Sequence, residues 1–196
     1  MSAAPKIIAF AGSLRRDSFN KKLVRIAAES ARKAGAEVTL LDLKEHPLPI
    51  FDEDLEKESG VPAKVMELKK LFIGADGIMI SAPEYNSSIS GVLKNTIDWL
   101  SRPVPGESPL AAFKGKTAVL MSASPGALGG LRGLVTVRSI LGNIGVVVLP
   151  EQVAVSNAND AFAADGSLKD AKQHDSIVKL GERLAVVTRK LKAIEF

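Results

Sequence analysis

Ile7-Ile8-Ala9-Phe10-Ala11-Gly12-Ser13-Leu14-Arg15-Arg16-Asp17-Ser18-Phe19-Asn20 is the stretch on which the fold turns. Its first five residues are apolar without alternation, as in a strand buried on both faces of a parallel sheet. Gly12 lets the chain turn sharply out of that strand. Residues 18 to 34 then read as a helix with Leu23, Val24, Ile26, Ala27 and Ala31 on one face and Gly35 as its stop signal. The loop between strand and helix gathers short polar groups (Ser13, Ser18, Asn20) and two cations (Arg15, Arg16). The helix behind it adds free N–H groups and the positive end of its dipole, a suitable set of partners for a phosphate. A plainer reading stays open, with Ser18 only an N-cap and Asn20 a first-turn residue. The loop is neither the G-x-x-x-x-G-K-[ST] pattern nor G-x-G-x-x-G.

Outward from this unit the pattern repeats. Strands are expected at 37–43, within 76–82, at 117–122 and at Val146–Leu149, the last closed by Pro150. Helices are expected at 62–74, 91–101, 131–142 and 167–192. Segments 44–61 and 102–114 read as surface loops, and 151–166 as irregular. Five strands alternating with five helices predict an α/β fold with a parallel sheet covered on both faces. The whole of 1–196 is expected to form a single domain.

Two more loops follow strands on the edge where such folds bind ligands. Pro83-Glu84-Tyr85-Asn86-Ser87-Ser88-Ile89-Ser90-Gly91 places an aromatic, an amide and several hydroxyls together. It suits a flat polar ring, or else is a helix-entry turn with Ser90 as cap. Ser122-Ala123-Ser124-Pro125-Gly126-Ala127-Leu128-Gly129-Gly130 has the small residues that let backbone approach a planar ligand, or else is a flexible connector.

Composition removes several function classes. The absence of cysteine excludes disulfides, thiolate metal sites and thiol nucleophiles. With only His46 and His174 as histidines, a histidine metal centre or a Ser-His-Asp triad is disfavoured, and no metal site is expected. A net charge of +4 with dispersed basic residues and few aromatics argues against nucleic acid as a partner. No segment approaches the ~20 apolar residues of a membrane span, and the short N-terminal apolar run does not make a signal peptide. A cytoplasmic protein without membrane contact is the expectation.

The two best-marked segments together resemble the NADPH-dependent FMN reductases, a flavodoxin-like family that includes quinone, chromate and azo-dye reductases. The pattern G-S-x-R-x-x-S-x-N is met by Gly12, Ser13, Arg15, Ser18 and Asn20. P-E-Y-N-x-S-x-x-G-x-L-K-N-x-x-D-W is met by Pro83, Glu84, Tyr85, Asn86, Ser88, Gly91, Leu93, Lys94, Asn95, Asp98 and Trp99. The resemblance runs from the first strand to about the fifth, and residues past about 150 add little to it. It implies a flavodoxin-like three-layer sandwich with a five-stranded parallel sheet in order 2-1-3-4-5, FMN lying at the switch point.

In that resemblance Ser13, Arg15, Ser18 and Asn20 hold the FMN phosphate. Pro83, Glu84, Tyr85 and Asn86 line the isoalloxazine, and the loop with Ser122, Ser124 and Gly126 closes the other side. A hydride passes from NADPH or NADH to flavin N5, and electrons continue to a quinone, a free flavin or another oxidised small-molecule acceptor. No side-chain catalyst is implied. A homodimer or homotetramer is implied too, with 86–99 in the contact. Arg102 and Arg132 are candidates for the 2′-phosphate of NADPH. An FMN electron carrier without NAD(P)H activity is the alternative, and the positive net charge speaks for the enzyme.

Overall fold

The computed structural model describes residues 3–193. Of the expected 1–196 unit, residues 1, 2 and 194–196 lie outside this range. The elements follow in the order β1 (Lys6–Ala11), α1 (Phe19–Lys33), β2 (Glu37–Leu41), a 3₁₀ turn (Leu43–Glu45), α2 (Glu53–Ser59), α3 (Ala63–Ile73), β3 (Gly77–Ser81), β4 (Glu84–Tyr85), β5 (Ser88–Ile89), α4 (Gly91–Leu100), β6 (Thr117–Ala123), α5 (Leu131–Asn143), β7 (Val147–Val155), α6 (Ala158–Ala161) and α7 (Ala171–Lys192). The main sheet has the order β2-β1-β3-β6-β7, and its four pairings are parallel. Counting its strands alone, this is the expected 2-1-3-4-5.

Strand geometry divides the core. Side chains alternate across a strand, so Ile7, Ala9, Ala11, Met79, Val119 and Met121 face α1 and α7. Ile8, Phe10, Ile78, Ile80, Ala118 and Leu120 face α3, α4 and α5. The second layer holds the bulk of the molecule's aromatic packing, with Phe10 edge-on to Phe72 at 5.7 Å and Trp99 buried against Phe51. Because three helices and the β4–β5 hairpin lie on that side, the hairpin is carried by helices and not by the main sheet.

Four sequence readings need correction. Segment 44–61 is not only loop: Asp52 accepts the Asp54 N–H and starts α2, whose first turn holds Glu53, Asp54 and Glu56. The fifth strand does not end at Pro150. It runs Val147–Val155, and the pairing register slips between Ala118 and Leu120 so that Leu120 pairs with Gln152. Proline is tolerated because this is an edge strand at an irregularity. The displaced carbonyls of Val148 and Leu149 accept from the Arg138 guanidinium. Segment 151–166 contains the end of that strand and α6, followed by a bridge between Phe162 and Leu168. The last helix begins at 171, where Asp170 accepts the Gln173 N–H, and not at 167.

Candidate active site at the carboxyl edge of the sheet

Three loops converge beyond the ends of β1, β3 and β6. Ser13, Arg15, Ser18, Phe19, Asn20, Pro83, Glu84, Tyr85, Ala123, Ser124 and Pro125 line one cleft there. Loops far apart in the chain are held together by backbone bonds across the sheet edge. Gly12 N–H donates to Ser81 O at 2.9 Å, and Ala82 N–H to Met121 O at 2.8 Å. Gly12 itself is not in the left-handed region; its small size matters because a Cβ would lie 3.0 Å from Leu93 Cβ on α4.

Asn20 ties the edge together. Its Nδ2 donates to Ala123 O at 2.8 Å, and its Oδ1 accepts from Ala123 N–H and from the Ser81 hydroxyl. The side chain is buried, and both lone pairs of its Oδ1 and one of its two Nδ2 protons are engaged within the chain, which leaves the other Nδ2 proton and the backbone N–H for a ligand. Asn20 thus also acts as a strut that ties the first loop to the ends of β3 and β6.

Besides the four-residue α6, three helices start at this edge, and their N-termini differ. At α4 the Ser90 hydroxyl accepts the Leu93 N–H and donates to Gly12 O. At α5 the cap position is Gly130, which has no side chain to offer; the Glu84 carboxylate reaches over from the hairpin instead. Its Oε2 accepts the N–H groups of Arg132 at 3.0 Å and Gly133 at 3.2 Å, while Oε1 accepts from Arg132 Nε at 2.8 Å. Burial pushes the Glu84 carboxyl up, but the Arg132 guanidinium and the two backbone N–H groups outweigh it and hold the carboxyl below its usual range.

Helix α1 is left open. Ser18 holds the N-cap position with extended backbone, yet its hydroxyl makes no capping bond. The first turn has no acidic residue, and Lys21 and Lys22 stand within it. Cations there oppose the helix dipole, each by about 0.3–1 kcal/mol. Lys21 is compensated by Asp42 at 2.7 Å, and Lys22 lies over the rings of Phe19 and Phe162. Arg15 is exposed and forms no ion pair among the described residues. An uncapped, positively charged terminus beside a polar loop is a fit for a phosphate group.

The other expected ligands are placed unevenly. Pro83 and Tyr85 face the cleft, Tyr85 half exposed. Asn86 and Ser87 are the left-handed pair of a two-residue hairpin turn, at φ of 50° and 66°. Ser124 lines the cleft and its hydroxyl accepts the Gly126 N–H, whereas Gly126 lies in the turn beyond. Ser122 is fully buried beneath Gly130, its hydroxyl without a partner and outside the cleft.

Arg102 is at the far end of α4 from this edge and grips Glu56, with Phe51 under its guanidinium. This candidate for the 2′-phosphate does not line the cleft. Arg132 adjoins it, but is held by Glu84.

Residues past 150 contribute more than expected. Val155 O accepts the Ser124 N–H, Ala158 N–H donates to Ser124 O, and Asn157 N–H to Gly126 O. Phe162 stacks on Phe19 at 5.5 Å. Phe19, Ala123 and Pro125 also line the cleft, and apolar positions carried no signal for that.

The family model described as NADPH-dependent FMN reductase matches residues 5–160. The chain belongs to this family. It is 34% identical over 193 residues to an NAD(P)H-dependent FMN reductase of Pseudomonas aeruginosa, covering 98% of this chain and 100% of that one. It is 40% identical over 141 residues to a quinone reductase of Escherichia coli, covering 72% and 71%. Among solved structures, a flavoenzyme NAD(P)H:(acceptor) oxidoreductase of Paracoccus denitrificans superposes with a TM-score of 0.79 at 31% identity, over 95% of this chain and 98% of that one. As a member of the FMN reductase family, the chain is an oxidoreductase that uses FMN and NAD(P)H. Among the described residues no helix is long and apolar enough to cross a membrane, and no cluster of three or more metal-ligating side chains occurs.

Proposed function

We propose that this FMN reductase is a cytoplasmic quinone reductase in which the open N-terminus of α1 anchors the FMN phosphate. The single observation that carries the site is the contrast among the three helix starts at the carboxyl edge: α4 and α5 are capped by Ser90 and Glu84, and α1 is not. Bound FMN supplies two-electron chemistry between NAD(P)H and the acceptor. Ser13 and Ser18 offer hydroxyls, Arg15 a free guanidinium, and the first turn of α1 its N–H groups. The hairpin at Pro83–Asn86 and the segment Ala123–Pro125 flank the ring.

The cleft encloses only about 60 Å³, well below the roughly 300–1,000 Å³ of a pocket that engulfs a drug-sized ligand. Its lining would therefore hold the phosphate end of FMN, with the hairpin and Ala123–Pro125 as the walls on either side of the ring and one ring face left open. An open ring face suits flat acceptors, which is the chemical case for quinones. Neither Arg102 nor Arg132 has a free guanidinium for a 2′-phosphate, which supports use of both NADH and NADPH. Tyr85, Leu128, Leu131 and Val135 expose apolar surface around the hairpin and α5. Lys94 and Asp98 on α4, within the 86–99 segment, instead pair with each other at the surface. A second copy covering the hairpin and α5 makes a homodimer with both sites at its seam, and sedimentation of the FMN-loaded protein measures its mass.

The experiment is anaerobic mixing of FMN-loaded protein with NADPH or NADH, followed by a benzoquinone. The yellow absorbance bleaches with either nucleotide and returns on adding the quinone. A protein that retains no FMN sinks the site, and bleaching that the quinone leaves unreversed sinks the acceptor class.

A further inference from the structure

The β4–β5 hairpin presents Glu84 and Tyr85 to the cleft, yet it forms no ladder with the main sheet. What sets its position is α5. Gly133 brings the helix so close that a Cβ there would lie 3.2 Å from Ser88 O and 3.4 Å from Glu84 Cβ. Gly130 sits at φ 93° directly above the Ser122 hydroxyl, with no space for a side chain. No residue at position 130 can therefore supply the ordinary cap of α5. The orphan N–H groups of that helix are instead satisfied by Glu84, 48 residues earlier than Arg132 in the chain. The Glu84 side chain is 7% exposed, whereas that of Arg132 is 58% exposed.

We infer that Glu84 is a positioning residue, which clamps the hairpin to the first turn of α5 and so fixes the gap between Tyr85 and the Ala123–Pro125 segment. The inference rests on the proposed placement of the flavin ring between those two walls. The backbone bonds carry the clamp and the exposed guanidinium adds little, because an ion pair open to water on one side is screened. Glu84 also discharges the positive end of α5. That leaves α1 as the anion-attracting terminus at this edge and directs the phosphate to one end of the cleft.

Two measurements test this, one of them on FMN-free protein. Tyr85 is the chain's sole tyrosine, so fluorotyrosine labelling gives one ¹⁹F resonance from the hairpin itself. Wild type and R132A are expected to show one narrow line at the same shift. E84A is expected to broaden or split it, and E84D to do so more mildly, because the shorter side chain cannot span to both N–H groups. In the loaded enzyme E84A lowers kcat about tenfold to hundredfold by misplacing the ring walls, while FMN affinity changes less than about tenfold. E84Q recovers most of the loss, since its amide oxygen still accepts from the backbone. If E84A does not fold, E84D carries the test. The inference is overturned if E84A and E84D match wild type in both readouts, if E84Q falls as far as E84A, or if R132A is as damaging as E84A. Wild-type protein that fails to hold FMN overturns the functional reading instead, and the ¹⁹F result still stands on the clamp.

Discussion

The N-termini of α1 and α5 lie on the same edge of the same sheet, and each follows a buried strand and a loop rich in small residues. They have opposite local chemistry. The α5 terminus begins at a glycine, is capped by a buried carboxylate from another loop, and has its one guanidinium neighbour neutralised. The α1 terminus has a serine in the capping place whose hydroxyl is not used, cations where the dipole disfavours them, and a free Arg15. A helix start that the protein has already satisfied serves structure. One that it leaves short of negative charge is available to an anionic ligand. On the proposed reading the first loop is therefore the anchor and the α5 side shapes the ring site, although both are polar, glycine-containing turns in the sequence.

The largest way to break this comparison is Arg15→Ala. If α1 is the phosphate anchor, the variant loses a charge-assisted hydrogen bond of about 1.5–3 kcal/mol, or roughly tenfold to hundredfold in FMN affinity. Its melting temperature without FMN should not move, because Arg15 is exposed and has no ion pair among the described residues. Fluorescence titration of apo-protein with FMN measures the first quantity. An unchanged Kd removes Arg15 from the site.

The next test sets two serines against each other. Ser90 caps α4 and Ser18 caps nothing within the chain. Ser90→Ala should cost about 1 kcal/mol of stability, as lost caps do. Ser18→Ala should cost little stability in the FMN-free protein but weaken FMN binding, by about 0.5–1.5 kcal/mol for one neutral hydrogen bond. Thermal melting with and without FMN reads both. A Ser18→Ala variant that is destabilised without FMN and binds it normally would make α1 an ordinarily capped helix.

These cases also mark what the sequence made legible. The five strands were readable because buried parallel strands leave unbroken apolar runs, as at Ile7–Ala11, and the crossovers leave amphipathic helices; their order was implied only by the family resemblance. The polar and basic character of the first loop was readable because its groups are local. The capping bonds of Glu84 were not readable for the converse reason: its partners Arg132 and Gly133 are 48 and 49 residues away, and a carboxylate in such a loop carries no mark of them. Asn20 hides its role in the same way, since its three bonds go to Ser81 and Ala123 on other strands. Pro150 looked like a stop because a proline's missing N–H is a local fact, while edge position and the Arg138 contacts are tertiary ones. Residues after 150 lacked motif character, yet they hold the third loop through backbone groups, which any side chain can supply.

The smallest expected effect is in pH, and it tests whether charge closes the α5 terminus. The Glu84 carboxyl lies below its ordinary value of 4.5 in the folded protein. A depressed folded value means that stability is gained above the unfolded value, and is lost as pH falls below 4.5 through the folded one. Wild type should thus be more stable than Glu84→Gln at neutral pH, and the gap should close on acidification below 4.5, because glutamine does not titrate. With the guanidinium more than half exposed, the gap is on the order of 0.2–1 kcal/mol, read as a difference in melting temperature across the pH series. A gap that stays constant as pH falls would mean that the α5 cap depends on shape and neutral hydrogen bonds alone. The two helix starts would then differ in packing, and the electrostatic reason for an anion to choose α1 over α5 would rest on the cations of α1 without help from Glu84.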